Sequence, residues 1–179
     1  MASQDLSNNN FGILIAYVLP GFTALQGLPF LNDSLKLTEF GKAHDAITMA
    51  GFLLSTFQAV AAGMIVSTAR WLILDTVHHR TGVKPPAWDF SLLEKNAAGF
   101  KYLVEIHYFY YKFHANMLIA LIWSYLWFDR SLSLHALGYL LIATLLFLGS
   151  RDTLRRYYTR TGQLLSQREA KSPESRLSS

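Results

Sequence analysis

The chain contains no cysteine. Disulfides, thiolate-bound zinc and thiol catalysis are therefore excluded. Charge is missing too, from long stretches. The runs Phe11 to Leu31, Ala46 to Ala69 and Ser131 to Ser150 carry no Lys, Arg, Asp or Glu, and Ile106 to Phe128 carries only Lys112. No Walker, dinucleotide-binding or nucleophile-elbow motif occurs, nor an H-E-x-x-H helix or a pair of Glu-x-x-His helices. The first ten residues, MASQDLSNNN, have no basic stretch of the kind that opens a cleaved signal peptide, so the first apolar run is expected to stay in the mature protein.

What is present is length. A helix needs about 20 mostly apolar residues to cross the hydrocarbon of a bilayer. The four runs therefore predict an all-α, polytopic membrane protein with spans at about 11–31, 46–69, 106–128 and 131–150. The connection 70–105 would be a loop carrying a helix, residues 1–150 one transmembrane domain, and 151–179 a basic helical tail that loses order at its end. Arg70, Arg80, Lys84, Lys95 and Lys101 in the loop lie on the same predicted side as Arg151, Arg155, Arg156, Arg160, Arg168, Lys171 and Arg176 in the tail. Lys36, Lys42 and Arg130 lie on the other. The positive-inside rule then places loop and both termini in the cytoplasm, and a bacterial inner membrane suits so short a chain.

Each run has its own internal features. Pro20-Gly21 falls near the middle of the first, where a missing N–H and a permissive backbone predict a kink or a broken helix. In the second, Gly51, Ser55, Ala59, Gly63 and Ser67 recur at every fourth position. Small residues so spaced let two helix backbones approach closely, within the subunit or between subunits of a homo-oligomer. Gln58, His114 and Asn116 are polar positions at membrane depth, suited to hydrogen bonds between helices. After Arg70 the second helix is expected to run on to Thr81-Gly82, with the glycine as a left-handed cap and Pro85-Pro86 preventing continuation. Ser91-Leu92-Leu93-Glu94 has the form of a capping box and predicts a helix starting at Ser91. Asp129-Arg130 allows a tight hairpin between the last two spans.

Two segments could carry function. Asp75, His79, His107 and His114 lie near the basic side at helical spacings, and their convergence would offer oxygen and nitrogen ligands to zinc or iron. Arg151, Arg155, Arg156 and Arg160 interleave with Leu154, Tyr157, Tyr158, Leu164 and Leu165, a pattern suited to anionic lipid or to a soluble cytoplasmic partner. Topology already accounts for basic residues beside a span, so nucleic acid is not expected as a partner.

The leading expectation is a homo-oligomeric membrane protein without a cofactor, acting as a channel or membrane-perturbing effector under control of its loop and tail. The alternatives are a membrane-embedded metal enzyme using the His/Asp set and a passive anchor for a soluble partner.

Overall fold

The computed structural model describes residues 12, 14–27, 49–127 and 134–166. Among them every regular element is helical. Helix α1 is Leu14–Gly27. Helix α2, residues 49–80, joins Met49–Arg70 through a π turn at Trp71–Asp75 to Thr76–Arg80. After a short 3-10 turn, Phe90–Leu92, helix α3 covers 97–127, with a second π turn at Val104–Tyr108. Helix α4 is Leu134–Leu164, 31 residues. Helix α3 is central: α1 packs on both α2 and α3, and α4 lies along α3.

Two helices are long and apolar enough to cross a membrane, Phe52–Arg80 and Leu134–Leu164. At 1.5 Å per residue α4 is about 46 Å long, so roughly a third of it projects beyond a hydrocarbon layer of about 30 Å. Only 22% of the most apolar stretch of α2 and 6% of that of α4 is buried. Phe52, Phe57, Ile65 and Trp71 on α2, and Leu137, Leu141, Leu145 and Leu148 on α4, face outward. Polar side chains go the other way: Ser55, Arg70, His78, His107, Asn116, Ser150 and Thr161 are buried.

The middle of the small-residue ridge packs against α1 within the subunit. A Cβ on Gly63 would collide with the carbonyl of Tyr17 in α1, and one on Gly21 with the carbonyl of Ala59. Glycine at both points lets the two backbones touch. Ser55 and Ala59 are buried and Ser67 is half-buried, whereas the side-chain position of Gly51 lies outside the described residues.

Of the kink or broken helix expected at Pro20-Gly21, a full break is not found: α1 is helical from Leu14 through Gly27. Pro20 has no N–H to give the carbonyl of Ala16, four residues back. A π turn at Leu14–Val18 precedes it, and the fully buried Asn116 donates from Nδ2 to that carbonyl at 2.7 Å. Asn116 thus joins α3 to α1 by a side-chain hydrogen bond between two apolar helices. Gln58 is half-buried on α2.

Helix α2 ends as its sequence predicts. Gly82 has φ of 98°, its N–H bonds to His79 O, and Val83 N–H bonds to His78 O at 3.0 Å, the paired pattern of a Schellman cap. The helix expected from Ser91 starts later, at Ala97. Asp89, two residues ahead of Ser91, accepts from the Ser91 N–H at 3.0 Å and the Ser91 hydroxyl at 2.6 Å. The serine is consumed as a donor, and the Ser91-Glu94 box does not form. The hairpin at Asp129-Arg130 lies outside the described residues, as does the tail from 167 on.

Candidate functional site at the basic end of the bundle

The buried polar groups collect where α2, α3 and α4 run past their charge-free stretches. Arg70 and Asp75 form its centre, with Nη1 3.4 Å from Oδ1 and the two side chains 6% and 17% exposed. Five residues apart, they would point about 140° away from each other on a regular α-helix of 3.6 residues per turn. The π turn at Trp71–Asp75 inserts the extra residue that brings them to one face. The Tyr111 hydroxyl from α3 donates to the same Oδ1, and its ring lies 5.2 Å from the Arg70 guanidinium carbon. One half-buried carboxylate is therefore held by a cation and a phenol, while Nε and Nη1 of the buried arginine have no hydrogen-bond partner among the described residues.

A second group flanks it. His78 is fully buried, its Nε2 3.0 Å from Ser150 Oγ on α4. The Ser150 hydroxyl proton goes to Phe147 O at 2.8 Å, so the imidazole must donate from Nε2. Its Nδ1 is then an acceptor, buried and without a hydrogen-bond partner among the described residues.

The loop and the extension of α4 close over these groups. The last carbonyls of a helix lack intrahelical donors. Here the loop supplies them: Asn96 Nδ2 donates to Leu164 O at 3.2 Å and Asp89 N–H to Leu165 O at 3.0 Å. Trp88 Nε1 donates to Thr161 Oγ1 at 3.3 Å, and Arg151 donates to the Thr81 carbonyl at 2.9 Å and its hydroxyl at 3.1 Å. Leu154, Tyr157 and Leu165 are buried. Leu74, Val83, Tyr111, Leu154 and Tyr157 form one apolar cluster with Trp88 and Tyr158 against it. The segment 151–164 thus continues α4, and its end packs on the loop. Of its arginines, Arg151 ties the loop, Arg156 pairs with Asp152 at 2.9 Å, and Arg160 donates to His107 Nε2 at 3.0 Å. Arg155 is exposed.

The structure does not bring Asp75, His79, His107 and His114 together. Asp75 is taken by Arg70 and Tyr111, His79 Nε2 lies 3.2 Å from the Tyr158 hydroxyl, and His107 is held by Arg160. His114 donates from Nδ1 to Tyr110 O at 2.7 Å, its ring seated against Gly149 of α4. Among the described residues no three His, Asp or Glu side chains are grouped to hold a metal ion. Tyr158, in the extension beyond residue 150, has its pKa pushed up to about 12, first by burial and then by Asp75, so it stays a neutral phenol.

Helical spacing sets Asp75 beside His78 and puts Tyr111 on the same face of the next helix as His107 and His114, but it does not reveal Arg70 or Ser150 as companions. The available signal was an arginine at the edge of an apolar run with an aspartate a turn and a half further on. No family model matches the chain, and neither a curated protein nor a solved structure does.

Proposed function

We propose that this chain is a four-span membrane protein, with both termini, the loop and the α4 extension in the cytoplasm. In this reading it acts by assembly in the bilayer, as a pore-forming or membrane-perturbing effector whose state is set by the cytoplasmic cap. The observation that carries the reading is the inverted polarity of the bundle. Its large aliphatic and aromatic side chains face outward along α2 and α4, while arginine, histidine, asparagine and serine are inside. Lipid is the solvent that suits such a surface, because water would leave a very large apolar area exposed.

The cap supports control rather than passive anchoring. Loop and extension are bonded to each other, and Leu154 and Tyr157 of the extension share an apolar cluster with Tyr111, so a ligand that moved the cap would reach the helix ends directly. Because the middle of the ridge is occupied by α1, copies would associate through the outer faces of α2 or α4.

Native mass spectrometry from mild detergent, paired with dye release from vesicles holding the purified chain, tests this. The expected result is an oligomer whose permeability changes when the cap is opened by Trp88→Ala with Asn96→Ala. A monomer that leaves vesicles sealed with the cap intact or opened would overturn the assembly reading and favour an anchor.

A further inference from the structure

A notch of about 260 Å3 opens at the basic end between the loop and α4, lined by Gly82, Val83, Lys84 and Pro86 on one side and Arg155, Tyr158 and Thr159 on the other. Its walls are fixed by contacts outside the notch itself. The Schellman cap sets the course of Gly82 and Val83, Arg151 ties Thr81 to α4, and Trp88 bonds to Thr161. Pro86 sits against Gly162, where any side chain would press on the proline ring at 3.1 Å. The loop is thus held at one distance from α4, and the space between them is a built feature of the fold.

Two cations line this space and no carboxylate does. Carboxylates on the packed elements have partners outside the notch: Asp152 pairs with Arg156, Asp75 with Arg70 and Tyr111, and Asp89 accepts from Ser91. An arginine offers a planar fork that matches phosphate oxygens, and a lysine adds a compact point charge. The volume is below the roughly 300–1,000 Å3 of pockets that enclose drug-sized ligands. A small dianionic group fits it, and a large organic molecule does not.

We infer that the notch between residues 82–86 and α4 is a binding site for a phosphate monoester, held by Lys84 and Arg155. The site stands whether or not the membrane reading above holds. A lipid headgroup as the source of the phosphate rests on that reading, and a soluble phosphate monoester does not. Bound there, the phosphate would bridge loop and α4 extension and tighten the cap.

Binding of glycerol 3-phosphate and of short-chain phosphatidic acid to the full chain in mild detergent, measured by calorimetry, tests the site. The wild type is compared with Lys84→Gln/Arg155→Gln and with Lys95→Gln/Lys101→Gln, which removes the same charge at exposed positions outside the notch lining. Lys84 and Arg155 are exposed, so the helical spectrum and unfolding temperature should not change. Lys84→Arg with Arg155→Lys should retain binding. The expected loss is about tenfold, or about 1.4 kcal/mol, for each cation removed from the notch. The control pair should bind nearly as the wild type does. Binding of phosphatidic acid alone would identify a lipid source, and binding of glycerol 3-phosphate, alone or as well, a source that need not be lipid; each supports the site. Binding of neither, or an equal loss in the control pair, would overturn it.

Discussion

Replacing Gly63 by alanine adds one methyl group at the point where α1 and α2 touch. The new Cβ would fall on the Tyr17 carbonyl, with the Tyr17 Cα 3.1 Å away. These are backbone atoms of a helix, so no rotamer change can clear them, and the helices must part. Opening the crossing by roughly 1 Å forfeits a quarter to a half of the dispersion attraction of each atom pair across it. Overpacking costs about 1–3 kcal/mol in general, and a clash of backbone on backbone belongs at the upper end. Against this stands the better helix propensity of alanine, about 0.5–1 kcal/mol. Gly138→Ala in α4 is the matched control, because nothing lies within 4 Å of a Cβ there and only the propensity gain remains. The two substitutions should therefore differ by about 3 kcal/mol in opposite directions around the wild type. Reversible unfolding in mixed detergent, followed by circular dichroism, measures the difference. Equal stability of the two variants would refute the claim that the ridge packs on α1. Gly63→Ile separates the alternatives further: a ridge between subunits would lose the oligomer and keep the fold, whereas the present packing loses the fold of the subunit itself.

Two other perturbations act on the buried polar groups. Asp75→Ala removes the counter-charge of a buried arginine and should cost about 3–5 kcal/mol, while Arg70→Met with Asp75→Leu should recover most of it, as measured in the same unfolding assay. His78→Ala leaves Ser150 Oγ without its partner on α2 at 3.0 Å and should cost about 1–3 kcal/mol in the same assay, and unchanged stability would show that the contact carries no weight.

Much of the architecture was legible in the residues. The charge-free runs fall within helices wherever they are described, because an uncharged apolar stretch of this length has few other ways to satisfy its backbone. Thr81-Gly82 before Pro85-Pro86 marked the end of α2 to the residue, since few residues other than glycine adopt the left-handed conformation a Schellman cap needs. The ridge marked a close approach of two helices but not its partner; that required knowing that Gly21, in the run with Pro20, faces Ala59. Pro20 itself pointed to a break because its lost hydrogen bond is visible in sequence, whereas the donor that repairs it, Asn116, comes from a helix 100 positions away.

The candidate site was harder to read for a related reason. Helical spacing assigns residues to faces on the assumption of 3.6 residues per turn, and a π turn breaks that assumption where Arg70 meets Asp75. The four ligand candidates shared plausible spacings, yet each found a nearer partner in a tyrosine, an arginine or a backbone carbonyl. The basic tail read as a free amphipathic segment because its buried face, Leu154, Tyr157 and Leu165, looks the same whether it meets lipid or the loop.

The central claim is that the outward faces of α2 and α4 meet lipid. The cysteine-free chain allows single spin labels to be placed without background, at Leu141, Leu145 and Leu148 on α4 and at Ser166 beyond its end. In reconstituted bilayers, collisions with oxygen and with a water-soluble nickel chelate can be compared site by site. The account predicts high oxygen and low nickel accessibility at the three leucine positions and the reverse at Ser166. Nickel accessibility at Leu141, Leu145 and Leu148 equal to that at Ser166 would place α4 in water and contradict it.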